Sequence, residues 1–175
     1  EKLAGELRTA WVEGRNVYVC GNGGSAANAI HIANDLHYGI GSCGPGRKLP
    51  GIKVEALTAN ASVITCLAND TGYENIFSHQ VEVKGRKGDI FIALSGSGNS
   101  ANVAKALETA NRMGLQTFTI VAFEGGKCKK LANTCIHFNI DDMQIAEDIQ
   151  LLVGHLCMQW LNVNKPEHIR TLKNG

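Results

Sequence analysis

The stretch Ser95-Gly-Ser-Gly-Asn-Ser100 places hydroxyls and glycines between an apolar run at residues 89–94 and a helical pattern that starts at Ala101. Glycine lets a backbone approach an anion closely, and the start of a helix offers unpaired N–H groups at the positive end of its dipole. The chemistry is that of a phosphate cradle. An earlier turn, Gly21-Asn-Gly-Gly-Ser25, has the same setting, between a strand-like run at 16–20 and a helical pattern at 26–38. One such turn would mean little, because Gly, Ser and Asn suit any tight turn or helix cap. Two are different. Ser25, Ser95, Ser97 and Ser100 supply more hydroxyls than capping two helices requires, and Gly23 and Gly96 leave backbone N–H groups open to a ligand. Neither turn ends in the Gly-Lys-Ser of a Walker A loop, and neither is a dinucleotide fingerprint with an acid about 20 residues further on. The reading is a phosphosugar gripped from two sides.

A second constellation could move protons or hold a metal. His31 and Asp35 stand at i and i+4, and Glu147 and His155 at i and i+8, each pair along one stripe of its helix. Imidazole and carboxylate ligands suit tetrahedral zinc, which would polarise a sugar oxygen. The spacing by itself favours a core histidine, His31, with Asp35 and Glu147 as solvated helix charges.

Short β-branched runs at 16–20, 53–57, 89–94, 116–121 and 135–139 alternate with helical patterns at 2–12, 26–38, 61–68, 74–83, 101–113, 127–132 and 142–161. That alternation predicts a single α/β domain over residues 1–175, a five-stranded parallel sheet between two helical layers, with both turns at the carboxyl edge where ligands bind. The Gly- and Pro-rich segment 39–51 reads as a mobile loop and 162–175 as a polar tail. The chain opens at Glu1 inside an amphipathic pattern, so the first helix is expected to be incomplete. With a net charge of +1, 44% apolar residues and no long apolar run, neither nucleic acid nor membrane is expected as a partner. Six cysteines without paired metal-ligand spacing suggest reduced thiols and a cytoplasmic location.

Gly21-Asn-Gly-Gly-Ser25, Ala68-Asn-Asp-Thr-Gly-Tyr73 and Ser95-Gly-Ser-Gly-Asn-Ser-Ala-Asn-Val103 resemble the motifs of sugar isomerase (SIS) domains, within them the sedoheptulose 7-phosphate (phosphoheptose) isomerase group. The resemblance covers residues 11–160. It implies a flavodoxin-like sheet and a homotetramer with sites at subunit interfaces. It implies phosphate on Ser25, Ser95, Ser97 and Ser100, with Asn22 and Asp70 on the open-chain sugar. It places His31, Asp35, Glu147 and His155 on positions of catalysis or zinc binding, one ion per subunit. Asp35 stands where the group has Glu, Glu147 where it has Gln, and Gly96 where it has Thr.

The implied reaction converts sedoheptulose 7-phosphate to D-glycero-D-manno-heptose 7-phosphate through an enediol, for lipopolysaccharide or capsule. Asp35 is the expected base at carbon and His155 its acid–base partner, with Glu147 beside the substrate. Two other readings stand: a non-catalytic tetrameric SIS protein that binds a partner protein, and an isomerase of another ketose phosphate. His37, His79, His137 and His168 are expected to be structural or solvated, and Cys20 a small buried residue.

Overall fold

The computed structural model describes residues 1–168. In chain order its elements are α1 (Lys2–Glu13), β1 (Asn16–Cys20), α2 (Gly24–Asn34), α3 (Ile40–Ser42), β2 (Lys53–Ala56), α4 (Ala61–Thr71), α5 (Ser78–Lys84), β3 (Ile90–Ser95), α6 (Ala101–Arg112), β4 (Gln116–Val121), α7 (Gly126–Leu131), β5 (Thr134–His137) and α8 (Met143–Val163). The strands form one parallel sheet in the order β2-β1-β3-β4-β5, which is the flavodoxin-like order.

Strand periodicity divides the core in two. Val17 and Val19 face α1, α2 and α8, where they meet Leu7, Trp11, Ile32, Leu36 and Leu161. Tyr18 and Cys20 face α5, α6 and α7, with Phe77, Val81, Leu107 and Cys128. Covered on both faces, β3 is buried at every position, which its continuous apolar sequence requires. The expected three-layer αβα sandwich is what forms. Because β1 and β3 are neighbours, with Cys20 opposite Ala93, the two glycine and serine turns emerge side by side where the strand order reverses.

The helix expected at 26–38 starts at Gly24 and changes character at Asp35. Residues Asp35–Gly39 form a π-helical turn in which the Ile40 N–H donates to the Asp35 carbonyl. The Leu36 carbonyl, the α-helical partner of that N–H, instead accepts the Ile52 N–H at 2.9 Å. A tertiary hydrogen bond thus displaces a local one. The segment expected as a loop from residue 39 is helical through Ser42. Its far end is tied down by Leu49 N–H to the Gly41 carbonyl at 3.0 Å and by Trp11 Nε1–H to the Pro50 carbonyl at 2.8 Å. Only residues 43–48 form a continuously exposed stretch of it. Helix α8 likewise runs past residue 161, and Asn162 is buried, so the expected polar tail begins later. The rest of that tail, 169–175, lies outside the described residues.

At the opposite edge Asp89 secures the starts of β1 and β3. Only 4% exposed, its carboxylate accepts from the Asn16 N–H at 2.9 Å, the Asn16 Nδ2 at 3.3 Å and the Arg86 N–H at 3.0 Å. Asp89→Ala leaves these donors unpaired, and urea unfolding should show a loss of about 2–4 kcal/mol. A loss below about 0.5 kcal/mol, the range of ordinary surface changes, would refute this role.

Candidate active site

The first turn is built for tightness. A Cβ on Gly21 would lie 2.8 Å from the Ser25 backbone, and Gly23 has φ of 56°. Ser25 is 4% exposed and Gly23 occupies the N-cap of α2 without a side-chain cap. Ser100, the N-cap of α6, also makes no side-chain cap bond. By contrast Asn60 and Asp142 cap α4 and α8, at a gain of about 1 kcal/mol each. The Val103 N–H of α6 is taken by Asn102 Oδ1 at 2.9 Å and the Ala26 N–H of α2 by the Gly23 carbonyl at 3.0 Å, which leaves the N–H groups of the first two residues of each helix for another acceptor.

In the second turn the Gly98 N–H donates to the Ser95 carbonyl at 3.2 Å and to Ser95 Oγ at 3.1 Å, and the Asn99 N–H donates to Ser97 Oγ at 3.3 Å. Its outer side rests on the connection between β4 and α7. The Gly96 carbonyl accepts the Ala122 N–H at 2.8 Å, the Gly98 carbonyl accepts the Cys128 N–H at 2.9 Å, and Asn99 Oδ1 accepts the Lys127 N–H at 3.2 Å. That connection contains Phe123 at φ 47°, a conformation costing a non-glycine residue about 1–3 kcal/mol.

The two turns are bridged by an amide pair. Asn22 and Asn102 exchange Nδ2–H···Oδ1 bonds of 2.9 Å each, and the Tyr73 hydroxyl donates to Asn22 Oδ1 at 3.1 Å. Neither Asn102 nor Tyr73 is among the site residues expected from the sequence. The signal available was an asparagine inside the buried, otherwise apolar first turn of α6, where Asn102 is 2% exposed. Asp70 makes its hydrogen bonds within its own helix. It is exposed on α4, bonded to Asn69 Nδ2 at 2.7 Å and to the Cys66 thiol at 3.5 Å.

Helix α8 crosses both turns with its first residues. A Cβ on Gly96 would meet Met143 Sδ at 2.4 Å, and one on Gly24 would meet the Glu147 Oε2 at 2.1 Å. Met143 thus covers the position where the group carries Thr, and the Glu147 carboxylate packs on the first residue of α2. Further along the same seam, His31 Nε2 lies 3.4 Å and His155 Nε2 3.5 Å from Asp35 Oδ2, and the two imidazole nitrogens are 3.0 Å apart. Donors about 2.1 Å from a tetrahedral zinc stand about 3.4 Å from one another, so this triangle fits a metal ion. Among the described residues His31, Asp35 and His155 are the group that could hold one.

Glu147 does not join them within the chain. Eight helical residues rise about 12 Å, so the i, i+8 spacing that aligned it with His155 also separates the two. His31 is no core histidine, since its side chain is 48% exposed. Cys20 is buried, and desolvation raises its thiol well above the usual value, which leaves no thiolate nucleophile there. His37 and His79 are exposed.

A family profile for the SIS domain matches residues 1–122. A phosphoheptose isomerase of Akkermansia muciniphila is 41% identical over 82% of this chain and 73% of that protein. Another, of Rhodospirillum rubrum, is 41% identical over 89% of this chain and 80% of that protein. Among solved structures, a phosphoheptose isomerase from Neisseria gonorrhoeae superposes with a TM-score of 0.83 at 27% identity, covering 93% of this chain and 84% of that one. One from Francisella tularensis gives 0.84 at 25% identity with the same coverage. With the motif turns at the expected edge of the expected sheet, the chain belongs to the SIS-domain family, among its phosphoheptose isomerases.

Proposed function

We propose that this protein converts sedoheptulose 7-phosphate to D-glycero-D-manno-heptose 7-phosphate in the cytoplasm, supplying heptose for lipopolysaccharide or capsule. The observation that carries this reading is the Asp35 carboxylate set between two imidazoles, which a protein that only bound a partner would not need. Ser25, Ser95, Ser97 and Ser100, with the Gly96 N–H, receive the phosphate. Asn22, Gly23 and Asp70 contact the sugar chain. Asp35 takes a proton from C1 of the ketose to give the cis-enediol and returns one to C2, while His155 carries a proton from O1 to O2. No atom is gained or lost.

His31, Asp35 and His155 would hold zinc, which when bound supplies polarisation of a sugar oxygen. The His155 Nε2 cannot ligate an ion and carry a proton at once, so turnover of the chelated protein separates the two roles.

The site is completed between copies. An open-chain seven-carbon sugar phosphate spans about 10 Å from C1 to phosphorus at about 1.2 Å per bond. Asp35 lies eleven residues from Gly24 on α2, about 16 Å along the helix. The His–Asp–His group of one copy therefore serves the turns of a neighbour, where Glu147 becomes a further ligand and touches the substrate. A homotetramer fits the exposed apolar stripe Ile145, Leu152, Leu156, Trp160 and Val163 on α8, which flanks His155 and leaves an apolar surface to cover.

Incubation with sedoheptulose 7-phosphate, with zinc or with a chelator, should yield the aldose product. Absence of product under every metal condition would sink the proposal. His155→Ala should abolish turnover while leaving the oligomer intact in light scattering, and an active variant would remove His155 from the mechanism.

Restoring the family's hydroxyl at position 96 should fail in isolation, because the new Cβ collides with Met143. Gly96→Thr is expected to raise KM about tenfold or more and Gly96→Thr/Met143→Ala to recover most of it, a non-additivity expected of residues in contact. Equal KM values for the single and double variants would disprove the coupling.

A further inference from the structure

His137, at the end of β5, supports no reaction by contact, yet its two nitrogens are both engaged. Lys129 Nζ lies 3.1 Å from Nδ1, and the Phe123 carbonyl lies 2.7 Å from Nε2. A lysine ammonium only donates, so Nδ1 is the acceptor and Nε2 carries the hydrogen that the Phe123 carbonyl accepts. The bond lands on the residue whose φ is 47°. Phe123 is also held by its N–H to the Ile140 carbonyl at 3.0 Å.

Residues 124–128, next along the chain from Phe123, support the second turn. Gly125 closes on Gly98 so tightly that a Cβ on Gly98 would lie 2.0 Å from the Gly125 oxygen. Cys128 and Lys127 then donate to the Gly98 carbonyl and to Asn99 Oδ1, while Ala122, just before Phe123, donates to the Gly96 carbonyl. These bonds turn the carbonyls of residues 96 and 98 toward the connection and away from an anion, which a carbonyl oxygen would repel.

We infer that His137 is a positioning residue for the phosphate. By holding Phe123 in its left-handed conformation it sets the connection that aims the peptide N–H groups of the second turn at the ligand. The inference rests on the reading that this turn receives the sugar's phosphate. Gln carries an acceptor and a donor that can replace Nδ1 and Nε2–H. Glycine at position 123 adopts a positive φ without help and makes His137 dispensable.

The test is steady-state turnover of sedoheptulose 7-phosphate together with competitive inhibition by inorganic phosphate. His137→Ala should raise both KM and the phosphate inhibition constant on the order of tenfold, the scale on which loss of a supporting residue is felt, with kcat nearly unchanged. His137→Gln should stay close to the wild type, and Phe123→Gly/His137→Ala should recover toward it. The recovery also keeps the test decisive if His137→Ala alone does not fold. Unchanged constants in His137→Ala, or a fall in kcat with both constants unmoved, would overturn the positioning role. So would a Phe123→Gly/His137→Ala protein no better than His137→Ala. A wild-type protein that turns over the sugar phosphate yet is not inhibited by phosphate would instead overturn the phosphate reading of the turn, and this inference with it.

Discussion

Close parallel packing of α2 on α8 is the constraint on which the rest of the site depends. Three glycines lie along the seam. A Cβ on Gly24 would collide with Glu147, one on Gly154 would stand 2.7 Å from Ile32 Cγ1, and one on Gly39 would already touch Met158. Between them Asn28 Nδ2 donates to the Glu147 carbonyl at 2.8 Å and to Gln150 Oε1 at 3.2 Å. With the helices at this separation, side chains from two distant parts of the chain meet as His31, Asp35 and His155. A wider spacing would part the imidazoles and dissolve the triangle.

The same packing separates functions along one axis. The start of α8 covers the glycine and serine turns, and its middle carries His155. The glycine and serine turns and the His–Asp–His group therefore stand at different levels of one helical seam, and under the proposed function the length of the sugar calls for two copies. The π-helical turn at Asp35–Gly39 belongs to this arrangement, because it begins at the carboxylate the triangle requires. It arises where the chain returning toward β2 takes the Leu36 carbonyl for the Ile52 N–H, and irregularities of this kind are often found at functional sites.

The second turn shows how much of a turn's shape is set by the residues behind it. Ser95, Gly96 and Gly98 are buried, with Ser97 and Ser100 half-buried. The carbonyls of residues 96 and 98 are held by the N–H groups of Ala122 and Cys128, and Phe123 beside them is held by His137. A strained Phe123 persists there because hydrogen bonds from both sides over-determine it. Cys128 contributes its backbone N–H to this support, and burial raises its thiol to about 11, so its sulfur acts as a small apolar group in the core.

The alternation of elements, the parallel sheet and the two glycine and serine turns at its carboxyl edge were readable in the amino-acid sequence, because period, turn chemistry and helix starts are local properties of neighbouring residues. The pairing of His31 with Asp35 was readable for the same reason, as one turn of helix. The contacts those residues make across the fold were not. Glu147 rests on Gly24 and not beside His155, Tyr73 reaches Asn22, and Asn102 closes the bridge between the turns. His137, which looked structural, reaches the strained Phe123. Helical rise, strand order and the spacing of packed helices decide those contacts, and they exist only once residues more than fifty positions apart in the chain, such as Asn22 and Asn102, are brought together.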